Sequence, residues 1–176
     1  MIDSYQGRWP AIANAAWVHE TAVVIGDVTL ADDVSVWPTA VLRGDVHRIE
    51  VGARSNIQDG VIVHVAHEGP YQSGHPAIIG EDVTVGHRAV IHACTVGSRV
   101  LVGMGAIVLD GAVVEDEVII GANTLVPPGK HLESGYLYLG SPAKAVRPIT
   151  PTEREQLPYS AAHYVRLMRR HQGVDD

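Results

Sequence analysis

Residues Val96–Val126 read VGSRVL, VGMGAI, VLDGAV, VEDEVI, IGANTL and V, five hexads, each opened by an aliphatic lead, with the lead of a sixth. The same lead recurs upstream at Val18, Val24, Leu30, Val36 and Leu42, at Val51, Ile57 and Val63, and at Ile79 and Val85. A small or β-branched residue usually follows four positions later, as at Ala22, Val28, Val34, Ala40, Val83, Ala106, Ala112 and Thr124. An amphipathic helix repeats every 3.6 residues and a half-buried strand every 2, so a period of six sustained this long fits neither. It suits a three-sided solenoid of about 18 residues per coil, each hexad one short strand plus a corner. The leads point inward and stack about 4.8 Å apart from coil to coil. Glycine often follows the lead, as at Gly52, Gly80, Gly86, Gly97, Gly103 and Gly121, and is expected to serve the corner backbone.

The repeat is interrupted in three places. Three extra residues lie between Leu42 and Val51, ten between Val63 and Ile79, and one is missing between Val85 and Val96. The long insert, Ala66 to Pro76, holds Gly69, Pro70, Gly74 and Pro76 and is expected to be a protruding loop. After Pro127-Pro128-Gly129 the repeat fades. Pro151 opens a helical signal with Glu153 and Glu155 in its first turn, and Pro158 is expected to break it. Tyr164, Leu167, Met168 and His171 give a second segment, from Tyr159 to about Gln172, at helical spacing. The expectation is one domain over residues 1–176: a solenoid over about 12–135 and a helical segment over about 151–172 covering part of it.

The composition agrees with a strand-built core. Hydrophobic residues are 46% of 176, Phe is absent and aromatics are 5%, so the apolar content is mostly Val, Ile, Leu and Ala. A net charge of -7 argues against nucleic acid as a partner. No secretory signal and no membrane-length apolar run is visible. Cys94, the sole cysteine, excludes an internal disulfide and makes a reducing cytoplasm the expected location.

Three of the ten histidines are fixed by the repeat. His64 and His92 are 28 residues apart, and subtracting the ten-residue insert leaves 18, one coil. They are expected to stack on one face, to within the one-residue slip. His87 lies five residues before His92, around a corner. One rigid prism cannot easily aim all three rings at a point, whereas a threefold trimer can, with His87 of one subunit meeting His64 and His92 of the next. Three imidazoles and a water form a catalytic zinc arrangement; three polar residues on an interface are the plainer alternative. Asp59 falls one coil from His87 on the same face, where a carboxylate can orient a ligand ring.

Arg43-Gly44-Asp45, Asn56-Ile57-Gln58-Asp59-Gly60, His64, the stretch from Gly86-His87 to His92, and Gly140-Ser141-Pro142-Ala143-Lys144 together resemble the γ-class carbonic anhydrases of the hexapeptide-repeat superfamily. The resemblance covers most of the chain and is strongest from Leu42 to Met104. It implies a left-handed parallel β-helix with a C-terminal α-helix, assembled as a homotrimer. It makes His64, His87 and His92 the ligands of zinc, with iron or cobalt as alternatives. It implies an Arg43–Asp45 ion pair across the subunit interface. Gln58 would orient the metal-bound water or hydroxide, and Asp59 would pair with Arg43 or support a ligand. Two positions depart from the pattern. Where better-studied members carry a shuttle glutamate in an acidic loop, this chain has His67, followed by Glu68. Where some members place an asparagine near the metal, Tyr159 is the candidate here.

The implied activity is reversible hydration of CO2 to bicarbonate by a metal-bound hydroxide, weak if the altered shuttle is slow. Alternatives are a hexapeptide-family acyltransferase, a metal-dependent thioesterase and a non-catalytic metal-binding trimer.

Overall fold

The computed structural model describes residues 1–174. The hexads form short parallel strands, and corresponding strands of successive coils pair in register. Val24, Leu42, Val63, Ile91, Val108 and Val126 make one such inward stack, all fully buried. Each such side chain contributes about 1.5–3 kcal/mol on burial, so the coil is held by a continuous aliphatic column. The stacking begins earlier than the periodicity suggests: Ile2–Asp3 and Ala11–Ile12 both pair with Val23–Leu30. At the other end Tyr136–Leu139 and the antiparallel Lys144–Pro148 finish the sheet.

The glycines after the leads have a different cause from the one expected. Their φ angles are ordinary. What requires glycine is the next coil: a Cβ on Gly103 would lie 2.5 Å from the nitrogen of Ala122, and one on Gly80 2.7 Å from the carbonyl carbon of Gly97. The left-handed corner positions are largely taken by other residues. Asp33, Arg54, Asp82, Arg99 and Glu117 form one column of successive corners, with φ between 54° and 61°. Such backbone costs on the order of 1 kcal/mol per residue. The column alternates in sign, and Arg54 meets Asp82 at 2.7 Å and Glu81 at 2.9 Å.

The chain is three-sided, and the sides differ. The outward row Trp17, Ser35, Asn56, Thr84, Leu101 and Ile119 lies beneath the helix. Helix α1 (Pro151–His171) has Thr150 as N-cap in a capping box with Glu153, and Pro151 in its first turn. It runs through Pro158 without a break, correcting the two-segment expectation. Proline in a helix interior forfeits one hydrogen bond, but Leu157, Ala161, Val165 and Met168 bury one stripe on either side of it, and that packing holds the helix together. Trp37 is packed by Trp17, Tyr164 and His171 at 5.0, 5.4 and 5.2 Å between ring centroids. Ion pairs pin both ends: Arg169 to Asp33 at 3.3 Å, and Arg154 to Glu117. A second side carries a mixed outward row, Thr29, Glu50, Ile78, Thr95, Val113 and His131. The third side carries an unbroken apolar row, Val23, Val41, Ile62, Val90, Ile107 and Leu125, that no described residue covers fully, so all six stay at least partly exposed.

The interruptions of the repeat sit beside this third side. The three extra residues fall within the single strand Val41–Val51: Gly26 pairs with Gly44 and Val28 with Ile49, so the chain bulges outward between them and carries Asp45 and His47. The ten-residue insert is an ordered β-hairpin, Ala66–Gly69 against Gln72–His75, where a loop was expected. The missing residue shortens the corner after His92, where Ala93 takes a φ of 50°. Among the described residues no helix is long and apolar enough to cross a membrane.

Candidate metal centre

His64 and His92 end the strands Ile62–His64 and Val90–His92 and are paired in register, the slip falling after His92. Arg43 is the next residue of the same outward row. The Nδ1 of His64 lies 3.1 Å from the Nε2 of His92. The opposite nitrogens are both committed to carboxylates: His64 Nε2 to Asp45 Oδ1 at 3.0 Å, and His92 Nδ1 to Asp110 Oδ1 at 2.6 Å. An ionised carboxylate only accepts, so each neutral ring carries its proton on the carboxylate side. Two lone pairs are left aimed at each other, an arrangement that calls for a cation between them. Two nitrogens on one tetrahedral zinc lie about 3.3 Å apart, given Zn–N of about 2.0–2.1 Å. The donor set fits such an ion.

His87 occupies the corner at the other edge of the third side, about five residues of chain from His92. Its Nδ1 meets Asp59 Oδ2 at 2.9 Å, so this ring is oriented by a carboxylate as the other two are. Carboxylates orient metal-bound histidines in this way. Asp59 therefore sits on His87 and not on Arg43. Arg43 bonds Asp45 within the chain, with its side chain 47% exposed. Asp45 is drawn two ways: burial raises its pKa, but hydrogen bonds from His64 and Arg43 outweigh burial and hold it below the usual carboxylate range. Among the described residues of one chain, no three His, Cys, Asp or Glu side chains converge to hold an ion. Cys94 is 2% exposed and packs into the aliphatic core, where burial pushes its thiol up to about 12.

Gln58 is 4% exposed and lines a groove of about 410 Å³ with His87 and Tyr164. Its Nε2 donates to Asn56 Oδ1 at 3.1 Å. His67 and Glu68 stand on the outgoing strand of the hairpin, which the chain enters directly after His64. Tyr159 does not line this groove. It faces outward, 64% exposed, with Arg166 over its ring at 5.8 Å. Tyr164 lines the groove instead, and burial first, then the charge of Asp59, raises its phenol pKa. Sequence reasoning passed over Asp110, which lies one coil on from His92 and one position past the register, since the coil after His92 is one residue short. It also missed the contact of Asp45 with His64, which depends on the bulge.

Comparison with protein-family models finds no match. Among curated proteins, the chain is 57% identical to Protein YrdA of Escherichia coli K12 over 94% of this chain and 91% of that one. It is 42% identical to mitochondrial gamma carbonic anhydrase 1 of Arabidopsis thaliana over 92% of this chain, which spans 59% of that protein. Among solved structures, a hexapeptide transferase family protein from Anaplasma phagocytophilum matches with a TM-score of 0.89 at 40% identity, covering 96% of each chain. A putative acetyltransferase from Bacillus cereus matches with a TM-score of 0.92 at 34% identity, covering 98% of this chain and 96% of that one. With its left-handed β-helix and C-terminal helix, the chain belongs to the γ-carbonic-anhydrase-like hexapeptide-repeat proteins.

Proposed function

We propose that this protein catalyses the reversible hydration of CO2 at a cation held between subunits of a homotrimer. The observation that carries the reading is the set of three histidines, each with one ring nitrogen bound to a carboxylate, two of them bringing their remaining nitrogens within 3.1 Å of each other. His64 would bind through Nδ1, and His92 and His87 through Nε2. His87 and the His64–His92 pair lie at opposite edges of the uncovered apolar side, up to about 16 Å apart along the strand direction. A threefold packing of that side brings the His87 edge of one subunit to the His64–His92 edge of its neighbour, and the apolar row supplies the contact. Zinc or a similar divalent cation held there would supply Lewis acidity, enough to bring the pKa of a water to about 7. Gln58, in the groove with His87, orients the attacking oxygen. His67 and Glu68 carry the released proton toward solvent, a role an imidazole and a carboxylate can share.

A second reading, chemistry on an acyl thioester, is favoured by one feature. An apolar groove of about 320 Å³ between α1 and the solenoid shares Thr84, Leu101, Ile119 and Ser160 with the groove at His87. One experiment separates the two: CO2 hydration by metal-replete protein, run beside a panel of acyl-CoA substrates. Hydration whose maximal rate rises with imidazole buffer, more steeply in His67→Ala, is the expected result. No hydration with the metal fully loaded overturns the proposal, and thioester turnover in its place supports the second reading.

A further inference from the structure

The outward row beneath α1 is polar in its middle. Asn56 is 0% and Thr84 4% exposed, where the next coils of the same row carry Leu101 and Ile119. Buried polar groups are costly unless satisfied, and these two form a continuous hydrogen-bonded line. Gln58 Nε2 donates to Asn56 Oδ1 at 3.1 Å. Asn56 Nδ2 donates to the Val83 carbonyl at 3.4 Å and to Thr84 Oγ1 at 3.0 Å. Thr84 Oγ1 donates to Ser160 Oγ, on α1, at 3.1 Å.

The direction of this line is set by chemistry. The Val83 carbonyl can only accept and so favours the Nδ2 end of Asn56, but that bond is long at 3.4 Å, and the 3.0 Å bond to Thr84 is the one that holds the orientation. The Thr84 hydroxyl has one proton; with that proton given to Ser160, its oxygen accepts from Asn56. Asn56 then offers Oδ1, and only the NH2 end of Gln58 can satisfy it. The Gln58 carbonyl oxygen is what remains for the groove.

We propose that Thr84 and Ser160 are positioning residues that make Gln58 present its carbonyl oxygen, rather than its NH2 group, to the groove it shares with His87. An acceptor there suits a water or hydroxide, which has a hydrogen to give, and keeps the oxygen lone pairs free for carbon. The catalytic consequence rests on the proposed hydration reaction; the orientation itself does not.

The test uses zinc-loaded wild-type protein and the variants Thr84→Val, Thr84→Ser, Ser160→Ala and Ser160→Thr, with two readouts. Hydrogen exchange of the Gln58 side-chain NH2, followed by nitrogen-15 NMR, is expected to be slow in wild type, Thr84→Ser and Ser160→Thr, and at least roughly tenfold faster in Thr84→Val and Ser160→Ala, as when one hydrogen bond is lost. The kcat for CO2 is expected to fall roughly 3- to 10-fold in the latter pair with KM unchanged. Equal NH2 exchange in all five proteins overturns the proposal, whether or not CO2 is turned over. An equal loss of kcat in Thr84→Ser and Thr84→Val overturns it too, since the hydroxyl is then immaterial. Should Thr84→Val fail to fold, the Ser160 pair on the helix carries the same comparison.

Discussion

Asp110 Oδ1 accepts from His92 Nδ1 at 2.6 Å, and that contact favours the tautomer whose lone pair is on Nε2. Asp110→Asn keeps an oxygen acceptor but removes the charge and admits the amide nitrogen as a competitor for the same place. Zinc affinity, measured by competition with a chelator, is expected to fall about 10- to 100-fold, while the melting temperature of metal-free protein stays unchanged. An unaltered affinity would remove His92 from the ligand set. At this scale the sequence was readable wherever counting by coils applied. The count stacks His64 on His92 and Asp59 near His87, and a coil shortened by one residue leads from His92 to the neighbourhood of Asp110. It does not report side-chain rotamers, so the close approach of the His64 and His92 rings, nitrogen to nitrogen, could not be read. Tyr159 lies outside the groove at His87 for a related reason: five helical residues separate it from Tyr164, which turns the two onto different faces of α1.

Helix α1 begins on a charged cap. Glu153 accepts from the backbone nitrogen of Thr150 at 2.8 Å and meets both nitrogens of the Arg147 fork at 2.7 Å. Arg147 first, and the Thr150 backbone second, draw its pKa from 4.5 to about 2. A depressed carboxylate stabilises the fold fully above its unfolded pKa, and that contribution is lost as pH falls through the folded value. The docking of α1, followed by the fluorescence of Trp17 and Trp37, is therefore expected to weaken between pH 4.5 and about 2. Glu153→Gln should flatten that acid limb; an identical limb in the variant would assign it to other carboxylates. Pro151 and Glu153 marked the start of this element correctly. Pro158 misled because local propensity is a weak prior beside the four side chains the helix buries around it. The hairpin was likewise hidden, since Gly69, Pro70 and Gly74 mark a turn but do not reveal the pairing of Glu68 with Ser73.

The whole molecule is a prism with one side covered by a helix, one mixed and one apolar. Ile62, 39% exposed, lies in the middle of the apolar row and two residues from His64. Ile62→Asp is expected to yield folded monomer in sedimentation, with an unchanged strand signature in circular dichroism and without bound zinc. A metal-loaded trimer from this variant would refute the proposed packing. The hexad spacing made the solenoid legible because an inward lead every six residues is required in every coil. The apolar outward row was not recognised, because its members alternate with the leads and merge with them into short aliphatic runs such as Val23-Val24 and Val90-Ile91.

The corner column of Asp33, Arg54, Asp82, Arg99 and Glu117 also constrains how such a chain can change its length. Duplicating or deleting one coil would set like charges on neighbouring corners about 4.8 Å apart. Changing two coils preserves the alternation. The clasp of Arg169 on Asp33 and Arg154 on Glu117 adds a second condition. About 22 Å of helix spans about 19 Å of stacked coils, so each added pair of coils needs about six more helical residues. Lineages that grow by repeat duplication are thus steered to steps of even parity, with the distant helix lengthening in concert.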